Sequence, residues 1–367
     1  MKIGIIGPYP PPYGGRSIHV QRLVDFISAN KKAWEILIFD NTKKNQTRLS
    51  ENVIVFPFKI RYFLKFLFAV DVVHYHGSNW LLRVLVGFLR FFGRTVIVSL
   101  HSNVSLRNVY QTGNYLKKIL IIFSLRKANY VIVTHYSIKK FLRTIGIYEN
   151  ILFIPSFVAP TKKKQHYDAV PQYVWNFIKS HKPTIAGNAY QLVIRDGIDV
   201  YGLDLLIELI GRLKKEYPKI GLIFLLPEIG NFTYFKKIQK TIHNKELDDN
   251  ILIVNVAMQA YPIWENVHVF VRPTTTDTTA ISLYEALWFG TPVIASDCVS
   301  RPEGVLIFKN RDVNSLVRKA RFLLEHYEEQ KKKIMEMTTQ DYADDIVKVY
   351  ENVMKGKMTS SGRWPRK

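Results

Sequence analysis

Short apolar runs alternate with longer amphipathic segments along most of the 367-residue chain. The β-like runs of the first half are continuous and rich in Val, Ile and Phe, which is typical of strands buried on both faces of a parallel sheet. They cover residues 2–6, 35–39, 53–56, 72–75, 96–100, 131–134 and 151–156. Helical patterns separate several of them, beginning with residues 17–29. The alternation predicts a doubly wound α/β domain.

The same alternation resumes after residue 182, with β-like runs at 183–186, 220–226, 251–256, 267–271 and 292–295 and helical runs at 312–328 and 342–354. Residues 158–182 are rich in Lys, are interrupted by Pro and hold a short helical piece near Trp175. The pattern therefore predicts a first domain over 1–157, a linker over 158–182 and a second domain over 183–338. A final helix within 339–358 and a disordered tail over 359–367 complete the predicted organisation.

The candidate chemistry is concentrated in residues 271–297, VRPTTTDTTAISLYEALWFGTPVIASD. A short strand leads into a Thr-rich loop around Asp277, and a helix begins near Ala280. The hydroxyls available to cap this helix belong to Thr275, Thr276, Thr278 and Thr279. Its first free N–H groups, near Ile281 and Ser282, form a site that favours an anion, usually phosphate. Glu285 lies one turn further on, where a carboxylate suits a ribose diol.

This stretch resembles the retaining, nucleotide-sugar-dependent glycosyltransferases of family 4, which have the two-domain GT-B fold. Their signature is an acidic residue, seven intervening residues and a Glu, followed by a strand of small residues; here these are Asp277, Glu285 and GTPVIASD at 290–297. Asp277 stands where the family usually has Glu and is one methylene shorter. The alternative is a helix-capping Asp and a solvated Glu on an ordinary α/β unit. The resemblance implies two Rossmann-like domains facing a central cleft, with the last helix crossing back to the first domain.

Two features of the first half fit the same resemblance. Gly14 and Gly15 begin GGRSIHV, similar to the family's glycine loop that approaches the donor diphosphate, although a Gly pair alone is more often a simple turn. His76 and His101 follow two predicted strands, and ligands of doubly wound sheets collect at the carboxyl ends of strands. The resemblance implies that His101 contacts the transferred sugar. A lone histidine at a strand end is otherwise more often structural.

The expected phosphate-binding cations of the second domain are missing. Family members commonly have an Arg after the glycine of the first strand and a Lys before the next helix, whereas Asn188 and Tyr201 hold these places here. Arg195, Arg272 and Arg301 are the available substitutes. The resemblance thus gives His101 and Asp277 as catalytic residues. The expected donor-binding residues are Gly14, Gly15, Asn188, Arg195, Arg272, Thr279, Ala280, Ile281, Ser282 and Glu285.

Composition further limits the class of protein that the chain can be. The single cysteine, Cys298, excludes a disulfide framework or a thiolate metal cluster within the chain and fits a reducing cytoplasm. The first residues have the pattern of a buried strand rather than a signal peptide. No Asp-x-Asp pair follows a predicted strand, so we expect no essential metal and no cofactor besides a UDP- or GDP-sugar co-substrate. There is no P-loop and no nucleophile elbow.

Positive charge is concentrated in the first half. The chain has a net charge of +22, and residues 1–180 contain 26 Lys or Arg but only 7 Asp or Glu. Residues 59–70 and 79–94 are apolar, aromatic and basic, and the spacing of Arg83, Arg90 and Arg94 predicts one basic helix face. Such a helix lies on an anionic membrane or is a core helix with solvated arginines. The charge favours the membrane.

These observations predict a cytoplasmic enzyme, peripheral on the inner face of the cell membrane. We expect it to transfer a hexose from a nucleoside diphosphate sugar to a lipid-linked saccharide acceptor in surface polysaccharide biosynthesis. One alternative is a GT-B nucleotide-sugar epimerase or hydrolase, which would turn over its substrate without an acceptor. The other is a basic nucleic-acid-binding protein, which the lack of a nucleic-acid motif disfavours. We expect no nucleic-acid partner.

Overall fold

The computed structural model describes residues 1–40, 47–57, 68–277, 279–337 and 339–355, except for the side chains of residues 103–105. The chain forms two compact units. Unit 1 comprises Met1–Ala159 and Asp341–Lys367, and unit 2 comprises Pro160–Gln340. The predicted disordered tail, 359–367, and most of segment 59–70 lie outside the described residues.

Unit 1 is built on a sheet of eight described strands in the order β3-β4-β2-β1-β5-β6-β7-β8. The strands are β1 (Lys2–Ile6), β2 (Glu35–Asp40), β3 (Thr47–Ser50), β4 (Val53–Pro57), β5 (Val72–Tyr75), β6 (Thr95–Leu100), β7 (Tyr130–Val133) and β8 (Ile151–Phe153). All neighbours pair in parallel except β3, which is antiparallel to β4. The predicted doubly wound parallel sheet is confirmed. Among the described strands of this sheet, β3 alone was not predicted, because this exposed edge strand has no apolar pattern.

Helices cover both faces of this sheet. They are α1 (Gly15–Asn30), α2 (Trp80–Phe88), α3 (Asn103–Thr112), α4 (Tyr115–Lys127) and α5 (Tyr136–Thr144). The predicted single basic face on 79–94 is wrong, because α2 ends at Phe88 and a 3-10 turn, Leu89–Phe92, leads to Gly93 at φ 71°. Arg83 points inward and is only 2% exposed, while Arg94 donates hydrogen bonds to the carbonyl groups of Val70 and Phe68.

Unit 2 begins earlier than predicted. Residues assigned to a linker form α6 (Lys164–Asp168) and α7 (Gln172–Ser180). Val170 and Val174 are buried in the core of unit 2, so this segment is part of that unit and the predicted linker 158–182 must be corrected. Lys and Pro residues suggested an open connection, but the valine spacing gives the segment an apolar side to bury.

The sheet of unit 2 has six described parallel strands in the order β13-β12-β9-β14-β15-β16, beside a short hairpin of β10 and β11. The strands are β9 (Thr184–Asn188), β10 (Ile194–Arg195), β11 (Ile198–Asp199), β12 (Gly221–Leu225), β13 (Ile251–Val254), β14 (Val269–Arg272), β15 (Val293–Ser296) and β16 (Val305–Phe308). The helices are α8 (Leu203–Leu213), α9 (Phe232–Asn244), α10 (Tyr261–Trp264), α11 (Ile281–Trp288), α12 (Val313–Glu325) and α13 (Tyr327–Glu336). Their apolar faces bury both sides of the sheet.

The last helix, α14 (Ala343–Met354), belongs to unit 1. Its buried residues Ile346, Val347 and Tyr350 pack in the same core as α1. Two Rossmann-like domains, with the chain's end returning to the first, form the expected GT-B architecture. No helix among the described residues is both long and apolar enough to cross a bilayer.

Candidate active site

Histidines from three elements converge in unit 1. His76 and His101 directly follow β5 and β6, which are adjacent in the sheet, and His19 comes from α1. Nδ1 of His76 lies 3.0 Å from Nε2 of His101, so one of these nitrogens donates a hydrogen bond to the other. The ring of His19 lies 5.3 Å from that of His76 and 5.0 Å from that of His101. The structure thus brings the predicted His101 together with His76 and with His19, to which the sequence assigned no role.

A second layer of hydrogen bonds supports these rings. Nδ1 of His19 lies 2.7 Å from the carbonyl oxygen of Ser156. His74, whose ring is 3.9 Å from that of His76, contacts the Tyr350 hydroxyl at 2.6 Å and the Ser99 hydroxyl at 2.7 Å. Because Tyr350 lies on α14, the returning helix helps to fix the histidine cluster.

Burial keeps this cluster neutral. Loss of solvent lowers the pKa of His19 to about 4, against the opposing effect of its hydrogen bond to Ser156. Burial, with the neighbouring histidines, also lowers the pKa values of His74, His76 and His101 well below the usual range. Nε2 of His76 is buried and has no hydrogen-bond partner. Neutral imidazoles can accept a proton or bind a polar group here, but they do not supply positive charge.

The three rings also have the spacing of a metal-ligand set. One nitrogen each from His19, His76 and His101 lies within 4.8 Å of the other two. The hydrogen bond between His76 and His101 already uses two ring nitrogens, and neither carboxylate nor thiolate joins the set among the described residues. The expectation that no metal is essential stays a prediction.

Next to these histidines lies a cavity of about 440 Å³. Its lining includes Arg16 and Arg83, and none of the described residues that line it is acidic. The loop between β5 and α2 passes close over Tyr75, since a Cβ at Gly77 would lie 2.4 Å from the Tyr75 hydroxyl. That loop and the N-cap residue Asn79 start α2 so that Arg83 enters the cavity wall.

In unit 2, Asp277 joins two arginines in a buried ion-pair network. Its carboxylate lies 3.1 Å from Nε of Arg272 and 2.9 Å from Nη1 of Arg301, and the Thr274 hydroxyl donates to it at 3.2 Å. Burial raises the pKa of Asp277, but the charges and hydrogen bonds of the two arginines outweigh this effect and lower it to about 2. The network therefore keeps one net positive charge. The predicted sugar contact of Asp277 stays a prediction, and the structure adds a positioning role.

Asn188, which stands where the family has its first phosphate-binding cation, is part of the same site. Nη1 of Arg272 donates to both the backbone and side-chain oxygens of Asn188, at 3.1 Å each. The Ser282 hydroxyl also donates to the side chain of Asn188, at 3.1 Å. Tyr201, at the place of the family's Lys, stacks against the Arg272 guanidinium at 5.5 Å. Arg272 and Arg301 are thus the two substitutes that reach this place.

Helix α11 starts at this site as predicted. Its N-cap residue is Ala280, whose side chain cannot accept a hydrogen bond, so capping by one of the preceding threonine hydroxyls stays a prediction. Thr279 immediately precedes it, and Thr278 lies outside the described residues. The N-terminus at Ile281 and Ser282 therefore offers amides beside the Arg272 network, which favours an anion there.

Glu285 is buried one turn along α11, and its carboxylate accepts a hydrogen bond of 2.8 Å from Nε1 of Trp264. Burial of a carboxylate against a fixed donor holds it in one orientation. One oxygen of the Glu285 carboxylate already accepts the Trp264 hydrogen bond. Binding of the ribose by Glu285 stays a prediction.

Other predicted residues lie apart from these contacts. Arg195 is exposed at the end of β10, and the described structure records no contact between it and Arg272. Gly14 is the N-cap residue of α1, and its N–H already donates to the Ser17 hydroxyl at 2.9 Å. Gly15 begins the helix, so its N–H and that of Arg16 are the amides that this turn presents.

Sequence reasoning missed Arg16 and Arg83 as site residues. Both follow the carboxyl end of a strand within one loop and the first turn of a helix, which is the position that typically binds ligands in such sheets. This position in the sequence could have identified both residues. Arg83 was instead assigned to a basic helix face, because of the helical spacing of Arg83, Arg90 and Arg94.

Comparison with known proteins agrees with this architecture. Residues 39–162 match the family described as Glycosyltransferase Family 4, and residues 180–340 match Glycosyl transferases group 1. These two matches and the fold define the chain as a glycosyltransferase of the GT-B type. No curated protein matches the chain in sequence.

Solved structures share the fold over nearly the whole chain. Anabaena Alr3699/HepE in complex with UDP has a TM-score of 0.70 at 14% identity, with 97% of this chain and 100% of that chain covered. Sucrose-phosphate synthase from Thermosynechococcus elongatus has a TM-score of 0.67 at 16% identity, with 97% and 100% covered. WaaG, a glycosyltransferase involved in lipopolysaccharide biosynthesis, has a TM-score of 0.64 at 10% identity, with 95% and 99% covered. At these identities the likeness shows the fold.

Proposed function

We propose that this protein is a retaining, metal-independent glycosyltransferase that transfers a hexose from a nucleoside diphosphate sugar. The observation that carries the proposal is the anion site of unit 2, where the N-terminus of α11 lies beside Arg272 and Arg301. These groups suit the leaving diphosphate, whose charge grows in the transition state. HepE was solved with UDP and with UDP-glucose, which supports a nucleotide-sugar donor.

Several of the predicted site residues have a role in this proposal. Arg272, Arg301 and the amides of Ile281 and Ser282 bind the diphosphate, and Glu285 binds the ribose. Asp277 fixes both arginines and borders the sugar. His101, which partial burial and neighbouring positive charge keep neutral, accepts a hydrogen bond from a sugar hydroxyl or donates one to it. The leaving diphosphate assists attack on the same face of the sugar, so the protein's contribution is positioning and electrostatics.

The acceptor in this proposal is a lipid-linked saccharide of surface polysaccharide assembly. The protein transfers the hexose to it at the inner face of the cell membrane. WaaG is involved in lipopolysaccharide biosynthesis, which supports this class of acceptor. A surface of unit 1 also supports it. We call the exposed apolar side chains of α2, the following turn and α4 the apolar face; they are Leu81, Leu85, Phe88, Phe91, Phe92, Tyr115, Leu116 and Ile119.

The apolar face has the chemistry of an interfacial membrane contact. Phe91 and Phe92 are 63% and 70% exposed. Lys127 lies over the rings of Phe91 and Phe123, and Lys117 lies over that of Trp80. Exposed apolar groups with lysines beside them favour an anionic bilayer surface. This surface replaces the arginine face that the sequence predicted.

A nucleotide-sugar panel tests the enzymatic proposal. We expect one donor to raise the melting temperature, since a ligand at about 100 times its Kd adds about 2.7 kcal/mol. Transfer to a lipid-linked acceptor should then yield a product with the donor's anomeric configuration by NMR, and it should persist in the presence of a chelator. Inversion, dependence on added metal, or consumption of the donor without an acceptor would contradict the proposal; the last result would favour the epimerase or hydrolase alternative.

A further inference from the structure

Arg83 is a buried cation for which the described part of the chain provides no anion. Its side chain is 2% exposed, and its Nε and Nη1 atoms are buried and have no hydrogen-bond partner there. No ion pair to Arg83 is recorded among the described residues, and Asp71 is the one acid between residues 52 and 148. Burial lowers the pKa of Arg83, but a guanidinium remains charged at neutral pH. An unpaired buried charge destabilises a fold, so it points to a function outside folding.

The surroundings of Arg83 are those of a binding cavity. The 440 Å³ space beside it falls in the usual range for small-molecule sites. Arg16 lines the same cavity, and burial lowers its pKa as well. The remaining polar residues of the lining are His76, His101, Ser78, Ser102 and Asn108. Two arginines thus line a partly enclosed space together with neutral hydrogen-bonding residues that suit sugar hydroxyls.

The charge balance selects the ligand class. Two guanidinium groups carry two positive charges, and no described acidic residue in the cavity wall offsets them. A phosphate monoester carries about −1.5 to −2 at pH 7 and accepts several hydrogen bonds from the planar fork of an arginine. A carboxylate carries one charge and would leave the second guanidinium unpaired.

We propose that this cavity binds the phosphate group of a phosphorylated sugar acceptor, with Arg83 and Arg16 as its ligands. The inference rests on the proposed function, because it names the acceptor class of the same enzyme. The phosphate has two sources that share this chemistry, a soluble sugar phosphate and the diphosphate of a lipid-linked saccharide.

The variant Arg83→Met separates a binding role from a structural one. Methionine fills much of the same volume without the charge, so the melting temperature without phosphate should equal or exceed that of the wild type. Inorganic phosphate and a hexose phosphate should bind the wild type in calorimetric titrations, and their affinity should fall roughly ten- to a hundredfold in the variant. Arg83→Lys, which keeps the charge but lacks the fork, should give an intermediate loss.

The exposed Arg143 on α5 provides the matched control, since Arg143→Met removes the same charge from the same unit. It should leave phosphate affinity at the wild-type value. Two results would overturn the proposal: a lower melting temperature of Arg83→Met with unchanged phosphate binding, or an equal loss of phosphate affinity in Arg143→Met. If Arg83→Met does not fold, unchanged phosphate affinity in Arg83→Lys overturns it in the same way.

Nucleotide binding distinguishes this inference from the proposed function. If no nucleotide sugar binds but phosphate binds in an Arg83-dependent way, the donor proposal fails and the cavity stands. If Arg83→Met weakens binding of the nucleotide sugar rather than of the acceptor, the cavity serves the donor and the inference fails. Competition against transfer identifies the source: a hexose phosphate should compete if the acceptor is soluble, and a detergent-solubilised lipid diphosphate sugar should compete if it is lipid-linked.

Discussion

The two units bury arginines in opposite ways. In unit 2, Arg272 and Arg301 share the Asp277 carboxylate, so one of their two positive charges is compensated and both side chains are held in place. In unit 1, Arg83 has no such partner among the residues that the structure describes, and the nearby imidazoles are neutral. A carboxylate of the protein already stabilises the positive charge of a paired arginine. The charge of an unpaired buried arginine is neutralised only when an anionic ligand binds. On this comparison, the arginines of unit 2 are preorganised by their own carboxylate. Arg83 in unit 1 lowers the stability of the free protein and would be stabilised by a bound anion.

The largest expected effect comes from breaking the network of unit 2. Asp277→Asn should lower the free energy of unfolding of unit 2 by roughly 3–5 kcal/mol, because it leaves two buried guanidinium groups without their anion. Urea denaturation with hydrogen exchange resolved by peptide measures this loss. Nucleotide affinity should fall with it, since the arginines lose their orientation.

Asp204→Asn is the matched control for that change. Asp204 pairs with Arg311 in a partly exposed ion pair, and removal of its charge should cost about 1 kcal/mol or less. If Asp277→Asn keeps the stability and nucleotide affinity of the wild type and lowers transfer alone, Asp277 contacts only the sugar and the compensating role is wrong.

The second prediction concerns acid. Unfolded His19 binds a proton near pH 6.5, whereas folded His19 does so only near pH 4, so acidification through this window favours unfolding. The depressed pKa of this buried residue corresponds to about 3 kcal/mol, present above pH 6.5 and lost as the pH falls toward 4. The depressed values of His74, His76 and His101 act in the same direction. Asp277, with a pKa of about 2, keeps its stabilising charge until the pH falls below its unfolded value of 3.8.

Hydrogen exchange as a function of pH tests this difference. Peptides of unit 1 should lose protection between pH 6.5 and 4 before those of unit 2. His19→Gln, which cannot titrate, should reduce the pH dependence of unit 1 by about the same 3 kcal/mol. Simultaneous loss of protection in both units, or an unchanged slope in the variant, would contradict the assignment.

The third prediction concerns Glu285. Glu285→Gln keeps the side-chain size and an oxygen for the Trp264 hydrogen bond but removes the charge. If Glu285 binds the donor ribose, the change should cost roughly 1.5–3 kcal/mol, or about ten- to a hundredfold in nucleotide-sugar affinity, measured by calorimetry. Its effect on phosphate binding in unit 1 should be nil. Wild-type donor affinity in the variant would remove Glu285 from the ribose site.

Much of the fold was readable from the sequence, because the buried parallel strands are continuous apolar runs and the helices between them are amphipathic. The placement of His76 and His101 at the carboxyl ends of strands was also predicted, whereas their contact depends on the pairing of β5 with β6, which only the structure shows. The polar edge strand β3 and the hairpin of β10 and β11 had no comparable signal.

The errors have a common physical cause. The spacing of the arginines on 79–94 assumed one continuous helix, and the early end at Phe88 changed which side chains face solvent. Likewise, the ion pairs of Asp277 were not predicted, because Arg301 approaches its carboxylate from 24 residues further along the chain. The sugar contact of Asp277 stays a prediction. Local periodicity does not contain such tertiary contacts, so the partners of buried charges had to come from the structure.

The smallest predicted effect concerns the lysines beside the apolar face of unit 1. Each lysine near an anionic bilayer contributes about 1 kcal/mol, so Lys117→Gln and Lys127→Gln should each weaken binding to phosphatidylglycerol vesicles about fivefold in co-sedimentation at low ionic strength. High salt should reduce the difference, because it screens the attraction. The exposed Lys240 in unit 2 gives the control, and Lys240→Gln should bind as the wild type does. Phe91→Ser combined with Phe92→Ser should weaken binding to neutral and anionic vesicles alike, since it removes apolar contact rather than charge. Equal losses in all three lysine variants would show that net charge alone drives adsorption, and wild-type binding by the phenylalanine variant would exclude the apolar face as the contact surface.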